Sequence, residues 1–600
     1  MAQNHFDTDV LIVGAGPTGL TTALALATYG IRAEVVSLWN WLSHTPRAHI
    51  TNQRAMEVFR DLGIEDQVLE QATPWDLMGD TLYTTSFAGE EIVRQRTWGT
   101  GDKRKGDYLQ ASPCGMVDII QPRLEPILLK NAAERGATFT FNTEYLDFVE
   151  DADGVTVQLR ERITGREYTR RARFLVGGDG ARSSIVDQLG LAIEGHLARA
   201  GTVYTIFEAD LSRYVAHRPS ILNWIVSTDT SFGEIGMGLL RAVVPWTRWI
   251  AGWGFDISKG EPDTSPEFVS ARIKTMIGDP QIEPKLINTS IWYVNQAYAT
   301  QYSSGRVFCG GDAVHRHPPS SGLGLNTCVQ DAFNLAWKLA YAVHGFSGTR
   351  LLDTYSAERA PVGKQIVLRA NESRLDYAPL NACFRVAGAE NPVRAGVALL
   401  KQPGQEGQSR RNALLAAIRL KETEFNAEGL EMNQRYDSDA VLADADSAPE
   451  AFARDAVLYV QPTTRPGANL PHAWLVGSTG QRISTLDVVG KGKFTVLTGL
   501  AGTVWEKAAE AIGRPFLRTV VIGTPDNQDL YCDWREVMEI AEDGVLLVRP
   551  DGHIAWRQFA APDTALAAQH LLQQALDAVL GASHGGTEHY APHFGPHLFD

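Results

Sequence analysis

Near the start of the chain the apolar positions change period twice. Asp9-Val-Leu-Ile-Val13 is a short continuous β-rich run, the pattern of a strand buried on both faces of a parallel sheet. An Ala/Leu-rich stretch with helical character follows and stops near Gly30, a residue type suited to the C′ position. Ile31 to Ser37 reads as the second strand. The three predict a β-α-β opening, with Gly14-Ala-Gly-Pro-Thr-Gly19 at the first turn.

Helical spacing returns at the end of Arg47 to Leu62, where Met56, Phe59 and Leu62 share a face, and in Gln121 to Arg135, where Leu124, Ile127, Leu128 and Ala132 do. Two strand-like segments flank the turn Asp151 to Gly154, and Phe174 to Val176 is a third, ending in Gly177-Gly-Asp-Gly180. From about 190 to 290 the chain is rich in β-branched residues, Tyr and Trp, including Trp224, Trp246, Trp249, Trp253 and Trp292. This predicts an antiparallel sheet carrying a pocket. Arg306 to Gly310 is another buried strand, and Asn326 to Val343 a long helix with Val329, Phe333, Ala336 and Leu339 or Ala340 inward. Residues 386–450 are rich in Ala, Gly, Gln, Asp and Glu and look like a linker with helices.

A separate unit is expected from about residue 452. Its strands are Lys493 to Leu497 and Thr519 to Ile522, with a helix at Val504 to Ile512. A hairpin around Pro550-Asp-Gly552 and a closing helix at Thr564 to Leu580 complete it. The fold class is therefore α/β plus α+β: a Rossmann-like domain with an inserted antiparallel-sheet domain and a C-terminal unit. The expected boundaries are 1–190 and 291–400 for the two parts of the first domain, with an excursion at 75–110. The inserted sheet takes 191–290, the linker 401–451 and the last unit 452–600.

Composition narrows the class without changing this picture. A chain of 600 residues suggests about two to four domains. Its 44% hydrophobic and 21% charged content is ordinary for a globular protein. The net charge of -15 argues against a nucleic-acid binder. Cys114, Cys309, Cys328, Cys383 and Cys532 are scattered, with no CxxC, which fits a reducing cytoplasm better than a disulfide framework or zinc site. Val10 to Ala27 follows Asp7 and Asp9, not a basic segment, and is broken by glycines, so neither a signal peptide nor a membrane span is expected.

The glycine segments carry the first chemistry. Gly14 permits a tight turn, Gly16 lets a pyrophosphate approach the backbone, and Gly19 allows close helix–strand packing. Pro17 suits a first helical turn, and phosphates would rest on the helix N-terminus. The acidic residue expected to hold the ribose at the end of strand two is missing; by spacing the position is Ser37, and Glu34 lies earlier, in mid-strand. The second segment is Gly177-Gly-Asp-Gly-Ala-Arg-Ser-Ser184 and the third runs from Gly310 to Asn326. Asp312 is placed to accept a ribityl hydroxyl, and the helix opening near Asn326, preceded by Gly322, Gly324 and Leu325 as further cofactor-binding candidates, would aim N–H groups at the N1–C2=O edge of a reduced flavin.

In order and spacing these three segments resemble the single-component FAD-dependent aromatic hydroxylases. Pro46-Arg-Ala-His-Ile-Thr-Asn-Gln-Arg54, Leu124-Glu-Pro-Ile-Leu128, Tyr214-Val-Ala-His-Arg-Pro219 and Gly310-Gly-Asp-Ala-Val-His-Arg-His-Pro-Pro319 are similar to the phenol hydroxylase branch. The resemblance extends over nearly the whole chain. It implies FAD as cofactor and NAD(P)H and O2 as co-substrates. The activity it implies is ortho-hydroxylation of a phenol, plain or chlorinated, to a catechol through a C4a-hydroperoxyflavin. It also implies that Asp179 serves both FAD and nicotinamide, that Arg47 and Gln121 contact FAD, and that Pro318 lies beside the isoalloxazine. A thioredoxin-like C-terminal domain and a homo-oligomer are implied as well. That domain has no CxxC, so packing or subunit contact is expected of it, not redox work.

On the substrate side, a base near the phenol hydroxyl would raise the rate. His49 is the first candidate; related phenol hydroxylases carry an acidic residue at the aligned position. Asp118 is the second, accepting from the phenol or orienting His49, with an N-cap of the 121–135 helix as the alternative. Arg241 could stabilise a phenolate or form a structural salt bridge, and Trp224 could line the pocket or sit in the core. His315 and His317 lack the partners of a metal site, so no metal is expected. No Gly-x-Ser-x-Gly elbow supports a hydrolase. The same FAD segments would also serve a polyketide-ring hydroxylase, an epoxidising oxygenase or a non-catalytic flavin binder.

Overall fold

A parallel sheet sits at the centre of the computed structural model, which describes residues 6–45, 48–227, 235–444 and 448–581. Thr8–Val13 lies between Ala33–Val36 and Glu167–Gly177, and Val307–Cys309 pairs with the other edge of Glu167–Gly177, all in parallel register. Val10, Leu11 and Ile12 are fully buried, as a strand covered on both faces requires. Helix Pro17–Thr28 packs on helices Gly324–Val343 and Gln121–Glu134. The predicted short run at Phe174 to Val176 is the end of the longer strand Glu167–Gly177, which carries the hairpin of Thr143–Glu150 and Val155–Glu161 on its first half.

The second sheet has eight strands. In order they are His315–Arg316, Lys285–Ala299, Ile193–Glu208, Arg248–Phe255, Gly238–Val244, Leu222–Ile225, Thr81–Thr84 and Glu91–Gln95. It is not wholly antiparallel, because Leu222–Ile225 runs parallel to Thr81–Thr84. The hairpin from the 75–110 excursion thus becomes part of the sheet. At the other edge, Lys285–Ala299 runs straight through residue 290 and pairs with His315–Arg316 from the third glycine segment. One backbone ladder therefore joins the two sheets' functional loops.

The C-terminal unit has a four-stranded sheet in the order Leu517–Ile522, Phe494–Gly499, Val545–Val548, Ile554–Gln558. Helices Thr503–Ile512 and Ala565–Val579 pack on each other. The unit has its own sheet, and its core is continuous with that of the central sheet. Phe494, Trp505 and Phe516 belong to the same buried cluster as Val10 and Leu24. The Tyr341 ring lies 5.7 Å from Phe494 and 5.3 Å from Phe516. Aromatic residues on both sides continue the core across the junction, which a composition shift along the sequence does not reveal. The expected linker holds the helices Gln405–Leu420, Glu422–Phe425 and Glu428–Met432. Among the described residues no helix is long and apolar enough to cross a membrane.

Candidate active site

Three strands of the central sheet end side by side, and each feeds one glycine segment. The Gly14 amide donates to Val36 O at 2.8 Å, Gly178 to Val13 O at 2.8 Å and Gly310 to Gly177 O at 3.1 Å. The loops are thereby tied to neighbouring strand ends. Gly14 has φ +108°, and a Cβ on it would fall 2.2 Å from Gly178 O. A Cβ on Gly19 would fall 1.9 Å from Gly14 O, so both glycines are there for close packing. Gly16 is different: a Cβ there would meet nothing within 4 Å. Its space opens beside the first turn of helix Pro17–Thr28, which has Pro at its start and no side-chain cap. The free N–H groups of that turn face an open cradle, which fits a pyrophosphate.

Asp179 is half-buried. Burial pushes its carboxyl above the usual range, against bonds from Ser183 and the backbone at Ser184 and Ile185. Its Oδ1 is buried with no hydrogen-bond partner, an acceptor left for a donor from outside the chain. Asp312, on the turn after Val307–Cys309, is exposed. Ser37 follows strand Ala33–Val36 and is buried, its backbone bonded to Thr140 and Thr143. Glu34, in mid-strand, pairs with Arg170 at 3.3 Å. The residues present therefore fit FAD: a phosphate cradle at Gly16, an unsatisfied carboxylate oxygen at Asp179 and a second uncapped helix start at Gly324.

That second helix begins at Gly324, two residues before the predicted Asn326, and has no side-chain cap. The Asn326 side chain is already engaged. Its Oδ1 accepts from Asn52 N at 2.9 Å, and its Nδ2 donates to Ile50 O at 2.9 Å and Gly322 O at 2.7 Å. It fastens the helix start to the His49 segment and leaves only its backbone for a ligand. Gly322 has φ +64°, and Pro318 and Leu325 are buried. Gln121 donates to Glu125 at 2.6 Å, and Glu125 accepts from Ser43 N at 2.7 Å. Arg47 lies outside the described residues.

His49, Asp118 and Arg241 come together although they are far apart in sequence. Ile50–Thr51 pairs antiparallel with Val117–Asp118, and Ile119 N donates to His49 O at 2.8 Å. The carboxylate of Asp118 forms a hydrogen-bonded ion pair with Arg241 and lies 3.7 Å from His49 Nδ1. Asp118 is not an N-cap: helix Gln121–Glu134 is preceded by Ile120 with no side-chain cap. Burial alone would raise the Asp118 pKa, but Arg241 and His49 outweigh it and hold the carboxyl below its usual value. Asp118 is thus a fixed anion between a guanidinium and an imidazole.

Strand register places this group on one face of the second sheet. Arg241 is opposite Leu222 and Ile250, and Ile250 is opposite Ile206. The next row is Tyr204, Gly252, Leu239, Trp224 and Tyr83. Side chains alternate along strands, so Trp224, Arg241 and Tyr204 share the face. Trp224 is buried and lies 5.0 Å from the ring of Tyr377. Tyr204 was not anticipated. Its burial raises its pKa against the pull of Arg241, so it stays a neutral phenol near that cation. Only the cross-strand register, which one sequence does not show, points to it. His315 is buried and bonds Asp331 at 2.9 Å, while His317 bonds Pro318 O at 2.7 Å, so the two rings serve the loop itself. Among the described residues no group of His, Cys, Asp or Glu could hold a metal.

Comparisons with known proteins bear on the whole chain. Residues 7–370 match the FAD binding domain family model, and residues 463–583 match the C-terminal domain of aromatic-ring hydroxylases. The chain is 47% identical over 563 residues to a 2,4-dichlorophenol 6-monooxygenase of Cupriavidus pinatubonensis (strain JMP 134 / LMG 1197), covering 93% of this chain and 94% of that one. It is 45% identical over 574 residues to a phenol 2-monooxygenase of Pseudomonas sp. (strain EST1001), covering 94% and 92%. Among solved structures, the flavin-dependent monooxygenase PieE in complex with FAD and substrate superposes with a TM-score of 0.92 at 41% identity, covering 96% of this chain and 100% of that one.

Proposed function

This chain belongs to the FAD-binding aromatic-ring hydroxylases, and from that premise we propose that it hydroxylates a phenol ortho to its hydroxyl, giving a catechol, with NAD(P)H and O2 as co-substrates. The observation that carries the reading is the buried His49–Asp118–Arg241 group beside the helix start that would face the flavin. The similarity to phenol and dichlorophenol monooxygenases supports a plain or chlorinated phenol as substrate.

The bound flavin supplies reducing equivalents taken from the nicotinamide and activates O2 for electrophilic transfer to the ring. The chain's own residues do the rest. Backbone N–H groups after Gly16 and after Gly324 would hold negative charge on the cofactor without reorganisation. Asp312 and Asp179 would hold it by accepting hydrogen bonds from its hydroxyl or amide groups. Asp118, buried and anionic, orients the His49 ring and favours the imidazolium that forms when His49 takes the phenol proton. Arg241 Nε, buried and without a hydrogen-bond partner, is left to donate to the phenolate oxygen. Trp224 and Tyr204 line the same face and keep it apolar around one polar handle.

The C-terminal sheet order, with one parallel pair followed by two antiparallel ones and flanking helices, supports a thioredoxin-like reading of residues 452–600. The same reading includes a cytoplasmic homo-oligomer. Purified protein should show flavin absorbance and oxidise NADH or NADPH faster with a phenol present, forming a catechol. Nicotinamide oxidation indifferent to every phenol of a panel would sink the proposal.

A further inference from the structure

Helix Gly324–Val343 is buried from Leu325 to Tyr341, yet one stripe of it is polar: Asn326, Gln330, Asp331, Asn334 and Lys338. Buried polar groups are costly unless partnered, so the partners show what the stripe is for. Asp331 Oδ2 accepts from Gly311 N at 3.1 Å and bonds His315 Nε2 at 2.9 Å. It therefore holds the turn that carries Asp312. Its Oδ1 accepts from Arg359 Nε at 2.7 Å, and Arg359 also donates to Gln434 at 2.8 Å and Tyr436 Oη at 3.0 Å.

One residue before Arg359, Glu358 accepts from Lys338 at 2.7 Å, Asn334 at 2.7 Å and Ser438 at 2.7 Å. It also accepts both ends of the Arg549 guanidinium, at 2.6 and 2.9 Å. Arg549 belongs to the C-terminal hairpin, and its turn is closed by Asp551, bonded to Arg549 at 2.6 Å and to Trp337 Nε1 at 3.2 Å. Asp551 O accepts from Arg54 at 2.8 Å, in the helix that follows the His49 segment. His553 stacks on Tyr436, ring centroids 4.1 Å apart. Glu358, Arg549 and Asp551 are at most 2% exposed.

We propose that the Arg549–His553 turn of the C-terminal unit is a positioning element for the active site, holding the Gly310–Asp312 loop through Glu358 and Tyr436, Arg359 and Asp331. The turn fixes Glu358 by a two-pronged guanidinium contact and fixes Tyr436 by stacking. These two set the frame in which Arg359 meets Asp331, and Asp331 sets Gly311. The C-terminal unit, which lacks a CxxC, thus has a use that needs no redox chemistry. The flavin part of the inference rests on the function proposed above; the loop part does not.

Hydrogen exchange of the flavin-free protein at Gly311 to Val314 tests the loop part, with Val10 to Val13 as the internal control for global opening. Arg549→Met removes the fork, Arg549→Lys keeps the charge but not the fork, and Tyr436→Phe removes one hydroxyl while keeping the stack. Exchange at Gly311 should quicken roughly tenfold relative to the control in Arg549→Met and Tyr436→Phe, since each loses a hydrogen bond to a charged group, and less in Arg549→Lys. The apparent dissociation constant for FAD should rise by the same factor, because a loop less often in place binds less often. If Arg549→Met does not fold, Tyr436→Phe decides alone. Unchanged Gly311 exchange in the folded variants overturns the positioning role. A parent protein that binds no FAD would instead overturn the proposed function and leave the exchange result standing.

Discussion

Replacing Asp118 by Asn separates the two jobs assigned to this carboxylate. The side chain is 1% exposed and its partner Arg241 9% exposed. Asn keeps the shape and one acceptor but leaves the guanidinium buried without a counter-ion. Breaking a buried pair from one side costs about 3–5 kcal/mol, a large share of a typical stability of about 5–15 kcal/mol. Removing both charges together is nearly neutral in comparison. Asp118→Asn should therefore lower the urea midpoint sharply, and Asp118→Asn with Arg241→Met should recover most of that loss. Hydroxylation should not recover, because the double variant still lacks the anion behind His49 and has also lost the Arg241 donor to the phenolate; both should lose about a hundredfold or more in catechol formation. The carboxyl pKa is depressed, so its share of stability is present above the ordinary carboxylate value and fades only as pH falls through the lower folded value. The comparison should then look the same at any pH from neutral to mildly acidic. A single variant as stable as the parent, or a double variant as unstable as the single, would show that the pair is not a buried ion pair. A catechol rate that survives in Asp118→Asn would end its assignment as the residue that orients His49.

Other positions give sharper contrasts. His49→Ala should keep FAD and lose catechol formation by about two to four orders of magnitude, as expected for a general base; an unchanged rate dismisses it. Gly16→Ala should leave the thermal midpoint of flavin-free protein in place while weakening FAD binding, because its Cβ meets no protein atom but enters the cradle. Gly19→Ala should do the opposite first, losing stability with or without flavin, since its Cβ would sit 1.9 Å from Gly14 O. His472 and His553 are held neutral by burial, with pKa values lowered to about 4. As pH falls from neutral toward 5 the unfolded chain takes up protons that the folded one refuses, so stability should fall by about 2 kcal/mol per histidine. Urea midpoints at the two pH values, with His472→Gln as a control that loses its share of the slope, check this.

The parts of this molecule that are legible in the sequence are those whose cause is local. A strand, a tight turn and a helix start lie within a dozen residues of each other at Gly14 to Gly19, so the cradle could be read directly. The helices at Gln121 and Thr503 follow their periodicity within a residue or two. What could not be read was pairing. Asp118 lies three residues before Gln121, which makes an N-cap reading reasonable, and its real partners lie 69 and 123 residues away. The contact exists because two-residue strands at Ile50 and Val117 meet, and such short strands leave no alternation to detect. Tyr204 escaped for the same reason: its face is set by register against four other strands. Asn326 illustrates a subtler miss. Its side chain ties Ile50, Asn52 and Gly322 together, and a side chain at a helix start can serve a ligand or the protein's own backbone, which sequence does not separate.

The polar stripe on helix Gly324–Val343 was visible in the sequence but was read only for its apolar residues. An Asp and a Lys seven residues apart, among Asn326, Gln330 and Asn334 on a helix whose other faces are apolar, imply solvent, a ligand or a buried network. Here the partners make it a buried network. The start of the helix is uncapped, its middle holds the Gly311 turn, and Lys338 near its end is neutralised by Glu358, which Arg549 of the C-terminal turn also binds. A rigid element serves precise positioning better than a loop does, but a buried charged element is stable only when every charge has a partner. Glu358 joins the two requirements. It neutralises Lys338 from the same helix and Arg549 from the C-terminal unit, while its neighbour Arg359 completes Asp331. The Gly310–Asp312 loop, helix Gly324–Val343 and the C-terminal unit are therefore joined by one charge-balanced buried network.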